Sequence, residues 1–404
     1  MKRFTLMAAL LLFSSASLQA QNQASAIFLL IAPGASAGGT GEAGVAVAND
    51  AYASYWNPAA LAYLPGQEVV YQTAKWLPGL VDDIRYNYIG IRKEIPGIGT
   101  FGSHLIYLDL GDQIQTDEQA VELGIFSSYM AAATIGFGTQ LSSSSSVGFN
   151  VKLIHQKLSE VGAGVEEGQG KSTDFAFDIA YYKRGFLFKS LDFGAMVANV
   201  GEKIAFIDVR QADPAPTVMK IGIKWRIIET EFNRLSLLYD VNKMLVASWL
   251  ATDLDNDGII GGFTKDGVND GSSGYNERGQ HEADHTDPWY KAVFTSWLDD
   301  WYYNGSIDQD NNGIIDESEV GNNADYTFSS ELISMVHNIG LEYWYSQYFA
   351  IRLGYINDRN GKLYHPTFGA GIHYGGYGFD FGYIYGEQGH PLTNTMRFSL
   401  NIAL

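Results

Sequence analysis

Cysteine is absent from the whole chain of 404 residues. Its absence excludes a lipoprotein anchor, a disulfide framework and a cysteine-ligated zinc site. Positive charge is also scarce, because 26 Lys and Arg stand against 45 Asp and Glu, a formal net charge of −19 at pH 7. Such a chain repels phosphate groups, so we expect neither nucleic acid nor an anionic lipid surface among its partners.

Long apolar runs are missing as well. Residues 1–20 have Lys2 and Arg3, an apolar stretch and then small residues, and they read as a secretory signal peptide cleaved after Ala20. Beyond that point the best apolar run is 26–32, far short of the ~20 residues that a membrane helix requires. Any insertion into a membrane must therefore be by strands.

Alternation of apolar and polar residues is abundant. At the C-terminus Met396, Phe398, Leu400, Ile402 and Leu404 fall on one face, and Arg397, Ser399 and Asn401 fall on the other. About ten residues in this pattern are enough for a tilted strand to cross a bilayer. Similar patterns predict fourteen strands, near 68–76, 83–94, 99–109, 125–141, 147–157, 172–183, 187–199, 217–228, 232–243, 335–345, 348–357, 364–374, 377–387 and 393–404.

The predicted connections alternate in length. Short ones such as 96–98 and 375–376 alternate with connections that include 110–124, 158–171, 200–216 and 244–334. An even strand number with short turns at one end and longer loops at the other is typical of bacterial membrane barrels. We therefore predict an all-β fold, a fourteen-stranded antiparallel transmembrane β-barrel in the cell outer membrane, with its long loops on the cell surface. A secreted pair of β-sandwiches with a calcium-binding insertion is the alternative.

Two regions depart from the strand pattern. Residues 21–66 are rich in Gly and Ala, and we interpret them as an N-terminal plug of the barrel, which spans 67–404. Gly39, Gly41 and Gly44 spell G-x-G-x-x-G there, but no strand-helix-strand unit surrounds them, so a nucleotide site is not indicated. The second region, 244–334, is predicted to be a large acidic extracellular insertion. Residues 250–325 contain seventeen Asp and Glu against three Lys and Arg.

The insertion contains a complete calcium-loop pattern. Oxygen ligands stand at the required spacing, with Gly313 at the sharp turn and a Glu at the twelfth position, and they predict a Ca²⁺ site at Asp308, Asp310, Asn312, Ile314, Asp316 and Glu319. A second stretch starts in the same way but has Thr264 where the last Glu belongs. It gives Asp253, Asp255, Asp257 and Ile259 as further candidate ligands, with an acidic turn as the alternative.

Aromatic residues lie between these two stretches at roughly helical spacing. They form a candidate partner-binding surface of Trp289, Phe294, Trp297, Trp301 and Tyr302, or else the insertion's own small core. His281, Glu282 and His285 fit H-E-x-x-H, but the flanking Gly279 and Pro288 argue against the stable helix that a zinc protease needs. No nucleophile, base and orienting acid occur together in a convincing pattern, so an enzyme is not indicated.

Four segments resemble a known family. They are 41–59, with Asn49-Asp50 and Trp56-Asn57-Pro58-Ala59; 239–246, which starts Tyr239-Asp240; 342–345; and 391–398. Together they resemble the PorV (LptO) proteins of the type IX secretion system, a branch of the FadL-like outer-membrane barrels. The Asn-Pro-Ala element is shared by the wider FadL-like group, whereas the later segments are more specific.

The resemblance implies a shuttle without chemistry of its own. Proteins of this family accept cargo from the translocon barrel, recognise the cargo's C-terminal signal domain and deliver it to the sortase and attachment complex. Expected partners are therefore the translocon barrel, cargo signal domains, the attachment complex and outer-membrane lipid. Two other functions stay open: a FadL-type channel for hydrophobic molecules and a calcium-dependent surface adhesin.

Overall fold

The computed structural model describes residues 24–116, 122–159, 169–208, 212–249, 258–279, 282–283, 285–297, 332, 335–359, 361, 363–386 and 392–404. Its contacts divide the chain into two units. The larger unit comprises Ala24–Val246, Asp287–Ser296 and Ser329–Leu404, and the smaller one includes Ala247–Thr286. No helix among the described residues is both long and apolar enough to cross a membrane.

Fourteen antiparallel strands of the larger unit close into a barrel, and each pairs with its neighbours in the sequence. The last strand pairs with the first, with Glu68 opposite Ala403. The strands are β1 (Gln67–Lys75), β2 (Arg85–Ile95), β3 (Gly99–Thr116), β4 (Glu122–Gln140), β5 (Ser145–Lys157), β6 (Lys171–Lys183), β7 (Leu191–Gly201), β8 (Val218–Glu229), β9 (Asn233–Met244), β10 (Val336–Tyr345), β11 (Phe349–Asp358), β12 (Leu363–Tyr374), β13 (Tyr377–Ile384) and β14 (Thr395–Ala403). The predicted fold class is confirmed.

One predicted loop is wrong. The sequence placed a connection at 110–124, whereas β3 continues to Thr116 and β4 begins at Glu122. The ladder between the two strands continues to Thr116 and Glu122, because a bulge between Asp109 and Asp112 absorbs the irregularity on β3. Strand β7 also starts later than predicted, because 186–190 form a turn closed by the Phe186 N–H donating to the Leu191 carbonyl.

The alternation places apolar side chains outside and polar ones inside. On β5, Phe149 is 53% exposed, while its neighbours Asn150 and Lys152 are buried. A soluble barrel would show the reverse. Exposed apolar residues around a polar interior are the arrangement that lipid on the outside and protein or water on the inside requires.

The connections fall on two rims. The rim where β1 begins and β14 ends has the turns 96–98, 141–144, 184–190, 230–232, 346–348 and 375–376, and we call it the short-turn rim. The opposite rim, here the long-loop rim, has all the remaining connections, including the one after β9 that precedes β10 at Val336.

The N-terminal segment, 24–66, lies in the barrel lumen. It forms four short helices, Ile27–Leu30, Ala35–Gly39, Ala53–Trp56 and Pro58–Tyr63. The last three contact the inward faces of the strands. Inward glycines permit this contact: a Cβ on Gly148 would collide with the main chain of Pro58 and Ala59, and one on Gly194 with the carbonyl of Val45. Glycine is needed where two backbones approach so closely.

The smaller unit contains a short two-stranded sheet, in which Ser248–Trp249 pairs with His285–Thr286. Glu282, the acid of the H-E-x-x-H pattern, is 1% exposed. Its carboxylate accepts hydrogen bonds from the Gly261 N–H (2.8 Å) and the Asn276 Nδ2 (3.1 Å). This side chain therefore fixes a turn of its own unit.

Candidate functional site

The interior of the barrel is lined by buried ion pairs. The Arg352 guanidinium donates to Glu342 (2.8 Å) and to Asp380 (2.7 Å), and all three side chains are at most 7% exposed. Lys152 pairs in the same way with Asp178 at 2.8 Å. A buried charge is tolerated only when it is paired and hydrogen-bonded, so these pairs fix the positions of the strands that bear them.

The middle of the N-terminal segment is tethered by Asp240 of β9. Its Oδ2 accepts hydrogen bonds from the main-chain N–H groups of Gly44 (2.6 Å) and Val45 (2.9 Å). Strand β14, five strands away from β9 around the barrel, supplies further contacts: the Ser399 hydroxyl accepts from the Ala35 N–H at 2.8 Å, and Glu42 pairs with the buried Arg397. The segment is therefore held by two well-separated strands of the barrel wall.

The Asn-Pro-Ala element links the N-terminal segment to the barrel wall through the side chain of Asn57. The Asn57 Oδ1 accepts from the Ala59 N–H at 3.0 Å and caps the short helix that starts at Pro58. Its Nδ2 donates to the carbonyls of Val45 (3.0 Å) and Tyr181 (3.1 Å), one in the N-terminal segment and one on β6. One fully buried side chain thus joins two parts of the segment to the barrel wall.

A cavity of about 290 Å³ lies inside the barrel towards the short-turn rim. The N-terminal segment borders it at Asn49 and Asp50, and the barrel contributes Lys224, Arg234, Glu342 and Trp344. Burial raises the pKa of Asp50 to about 7, with the nearby carboxylates of Glu68 and Asp380 acting in the same direction. This polar cavity suits water or polar groups more than an apolar molecule.

A second cavity, of about 280 Å³, lies at the long-loop rim. Pro214, Leu245 and Val246 line it together with Trp289 and Ala292 of the helix Trp289–Thr295. The start of this helix is held by the Asp287 carboxylate, which accepts from the Lys291 Nζ and from the Thr295 hydroxyl (2.7 Å). The wall of this cavity is mostly apolar.

The structure describes three of the five predicted partner-binding residues, Trp289, Phe294 and Trp297. Trp289 is 40% exposed and Phe294 is 75% exposed on the same helix, so Phe294 does not pack into a core. Trp297 belongs to the smaller unit, and Trp301 and Tyr302 lie outside the described residues. An exposed Phe is what a contact surface requires, but exposure alone does not identify a partner.

The predicted calcium ligands fall almost entirely outside the described residues, and they stay a prediction. Those outside are Asp308, Asp310, Asn312, Ile314, Asp316 and Glu319 of the complete pattern, with Asp253, Asp255 and Asp257 of the incomplete one. Ile259 is described and is 62% exposed. Across the described ranges no three His, Asp or Glu side chains lie close enough together to hold a metal ion.

Sequence reasoning did not single out the inward charges. Lys152, Asp240 and Arg352 each lie on the polar phase of a predicted strand, opposite to the apolar phase. A charged residue at an inward position of a strand could have been recognised from the sequence, because a charge that points into a lumen needs a partner. Which charge meets which was not visible, since paired residues such as Asp178 and Lys152 come from different strands.

A closed barrel of fourteen strands, apolar outside and polar within, defines an outer-membrane β-barrel protein. The family model described as Type IX secretion system protein PorV matches residues 16–251, more than half of the chain. The chain belongs to this family and is an outer-membrane protein of the type IX secretion system. No curated protein matches it.

Solved structures similar to this chain are transporters and channels of low sequence identity. The toluene transporter TodX of Pseudomonas putida is 13% identical, with a TM-score of 0.48, over 91% of this chain and 96% of that one. The toluene transporter TbuX of Ralstonia pickettii is 11% identical, with a TM-score of 0.47, over 93% and 97%. The monoaromatic hydrocarbon channel CymD is 11% identical, with a TM-score of 0.47, over 93% and 98%.

Proposed function

We propose that this protein is an outer-membrane shuttle of the type IX secretion system. It accepts exported proteins from the translocon barrel by their C-terminal signal domain and delivers them to the sortase and attachment complex. Membership in the PorV family supports the pathway. The observation that carries the mode of action is the tethered N-terminal segment in the lumen.

A lumen that holds this segment leaves no room for a polypeptide to pass. The segment is fixed by Asp240 of β9, by Ser399 of β14 and by its own Asn57, which donates to the Tyr181 carbonyl of β6. Its residues are mostly buried. Releasing it would break several buried hydrogen bonds at once, each of which is costly to leave unmade. The shuttle therefore handles its cargo at its rims and outer surface, and the lumen gives the barrel rigidity.

The working surface of the shuttle is the long-loop rim, which faces the cell exterior. There the exposed Phe294 and the cavity wall at Trp289 offer aromatic contact area to a partner. Trp297, Trp301 and Tyr302 stay candidates from the sequence alone. We further propose that the acidic insertion binds Ca²⁺ at Asp308, Asp310, Asn312, Ile314, Asp316 and Glu319, because these residues supply oxygen ligands at the spacing of a calcium loop.

The second candidate is a channel for hydrophobic molecules. It needs a continuous apolar path through the lumen, whereas the described interior is lined by Arg352, Asp380, Lys152 and other charged groups. The apolar cavity near Trp289 is the feature that favours it. Uptake of an apolar substrate lost in a gene deletion, with secretion intact, would establish the channel instead.

Deletion of the gene tests the shuttle directly. Cargo with uncleaved signal domains should accumulate inside the cell, and wild-type protein should restore export. Phe294→Ser should reduce export, while Ile98→Ser, an equally drastic change at an exposed position of the short-turn rim, should not. Normal export in the deletion strain would refute the proposed function.

A further inference from the structure

Strands β3 and β4 are the longest of the barrel and extend beyond their neighbours at the long-loop rim. The last residue of β3 that pairs with β2 is Asp109, opposite Arg85, and the last residue of β4 that pairs with β5 is Tyr129, opposite Lys157. Beyond these points 112–116 and 122–127, here the extended pair, form ladder pairs only with one another within the described part of the chain. Among the described residues, the main-chain groups at both outer edges of the extended pair therefore have no partner strand.

A bulge decides which side chains face outward on the extended pair. Between Asp109 and Asp112, β3 has one residue more than β4, at Gly111, whose φ is +75° and whose N–H donates to the Asp109 carboxylate at 3.0 Å. Because side chains alternate with a period of two, one extra residue exchanges the two faces of a strand. The exchange brings Ile114 opposite Ile125 on the outward face.

This isoleucine pair stands above the membrane boundary. Tyr107 and Tyr129 stack at 5.5 Å on the same outward face and mark the aromatic belt. With a rise of about 3.3 Å per residue and a tilt of about 40°, Ile114 and Ile125 lie roughly 10 Å above Tyr129 and about 15 Å above Tyr107. Asp109 is opposite Tyr129, and Asp112 lies between that level and the isoleucines. The isoleucines, 58% and 73% exposed, are therefore apolar groups in an aqueous layer.

A free strand edge determines what kind of partner fits here. Unpaired N–H and C=O groups in a row are a template for another strand, and proteins usually block such edges with proline or lysine. The residues 112–116 and 122–127 contain no proline, lysine or arginine. We propose that the extended pair is a docking site for a partner protein, which adds a β-strand to a free edge and covers Ile114 and Ile125 with apolar side chains. The partner stands beside the barrel, because the isoleucines point sideways.

Single cysteines test this site without background, since the chain has none of its own. Variants with one cysteine at Ile114, Ile125, Gln113 or Gln115 are labelled with a maleimide on living cells and as purified protein. We expect labelling in cells to slow about tenfold or more at 114 and 125, and much less at 113 and 115, which face the other side. Equal labelling rates in cells and in purified protein would overturn the proposal. Uniform slowing at all four positions would also overturn it, because lipopolysaccharide that covers the whole region is expected to give that result.

A charge variant identifies the cause of the protection. With Ile125→Asp, a cysteine at 114 should react in cells as fast as in purified protein, while the matched control Ile260→Asp, similarly exposed in the smaller unit, should preserve the protection. Heat-modifiable gel mobility shows that each barrel has folded. Protection that persists in Ile125→Asp contradicts docking on the isoleucines.

Proline substitutions test the main-chain contact. Neighbouring N–H groups of a strand point to opposite edges, so Gln113→Pro and Ile114→Pro each remove a different one: one faces β4 and the other faces the free edge. With a cysteine at 125, the proline at the free edge should abolish protection in a folded barrel. If neither proline changes the protection, strand addition to the free edge of β3 is wrong.

The partner's identity depends on the proposed function, and a separate measurement decides it. Purified cargo signal domain should bind the wild-type barrel and should bind Ile125→Asp about tenfold more weakly. If the signal domain does not bind while the cysteines are protected in cells, the docking site stands and cargo recognition by the shuttle is wrong. If it binds both proteins equally, cargo recognition stands and lies elsewhere on the molecule.

Discussion

The tether at Asp240 allows a quantitative prediction. Asp240→Ala removes the carboxylate that accepts hydrogen bonds from the buried N–H groups of Gly44 and Val45. The distances from these nitrogens to the Asp240 Oδ2 are 2.6 and 2.9 Å. Leaving a buried donor unsatisfied costs about 1–3 kcal/mol, so two of them weaken the attachment of the segment by roughly 2–6 kcal/mol. Because 1.4 kcal/mol is a factor of ten, the open state of the segment should be populated at least about thirtyfold more often.

A buried reporter next to the tether measures this opening. Ala46 is 1% exposed, so a cysteine there reacts with a maleimide only when the segment leaves its place. Labelling of Ala46→Cys should be at least about thirty times faster with Asp240→Ala than with Asp240 intact. The barrel itself should keep its heat-modifiable mobility, because its strand ladders are unchanged.

A matched substitution separates the hydrogen bonds from side-chain size. Asp240→Asn keeps one oxygen acceptor and loses only the charge, so labelling should rise by no more than about tenfold. If Asp240→Ala is labelled no faster than the parent protein in a folded barrel, the tether contributes nothing and the argument for a fixed segment fails.

Three further predictions concern pH, packing and calcium. Since burial raises the pKa of Asp50 to about 7 in the folded protein, its contribution to the attachment of the N-terminal segment should be largest below pH 4 and should decrease as the pH rises to 7. Asp50→Asn should therefore reduce the pH dependence of cysteine labelling at position 46. Gly194→Ala should speed the same labelling, because its Cβ would collide with the segment, whereas Gly124→Ala, with open space around it, should not. Glu319→Ala should lower Ca²⁺ affinity in calorimetry at least tenfold, and an unchanged affinity would remove the calcium proposal.

The strand pattern was predictable because lipid leaves little choice. A side chain that faces hydrocarbon must be apolar, and its neighbours then face the lumen, so the period of two marks each strand within a few residues. The prediction was wrong near Gly111 because a bulge does not interrupt a ladder, and sequence alone does not tell a glycine in a bulge from one in a loop. Periodicity within one strand also says nothing of how far that strand extends beyond its neighbours.

The sequence by itself determined the fourteen strands and the family. The strands are visible because lipid imposes an alternation of apolar and polar residues on each of them, and an even number of such strands predicts a closed barrel. The family is visible because it is defined by short sequence segments. Only the tertiary structure decided that Asp240 holds Gly44 and Val45, and that a bulge brings Ile114 beside Ile125. Asp240 is nearly 200 residues away from Gly44 in the chain. Such contacts depend on barrel closure and on strand register, which fix distances between residues that no local pattern relates.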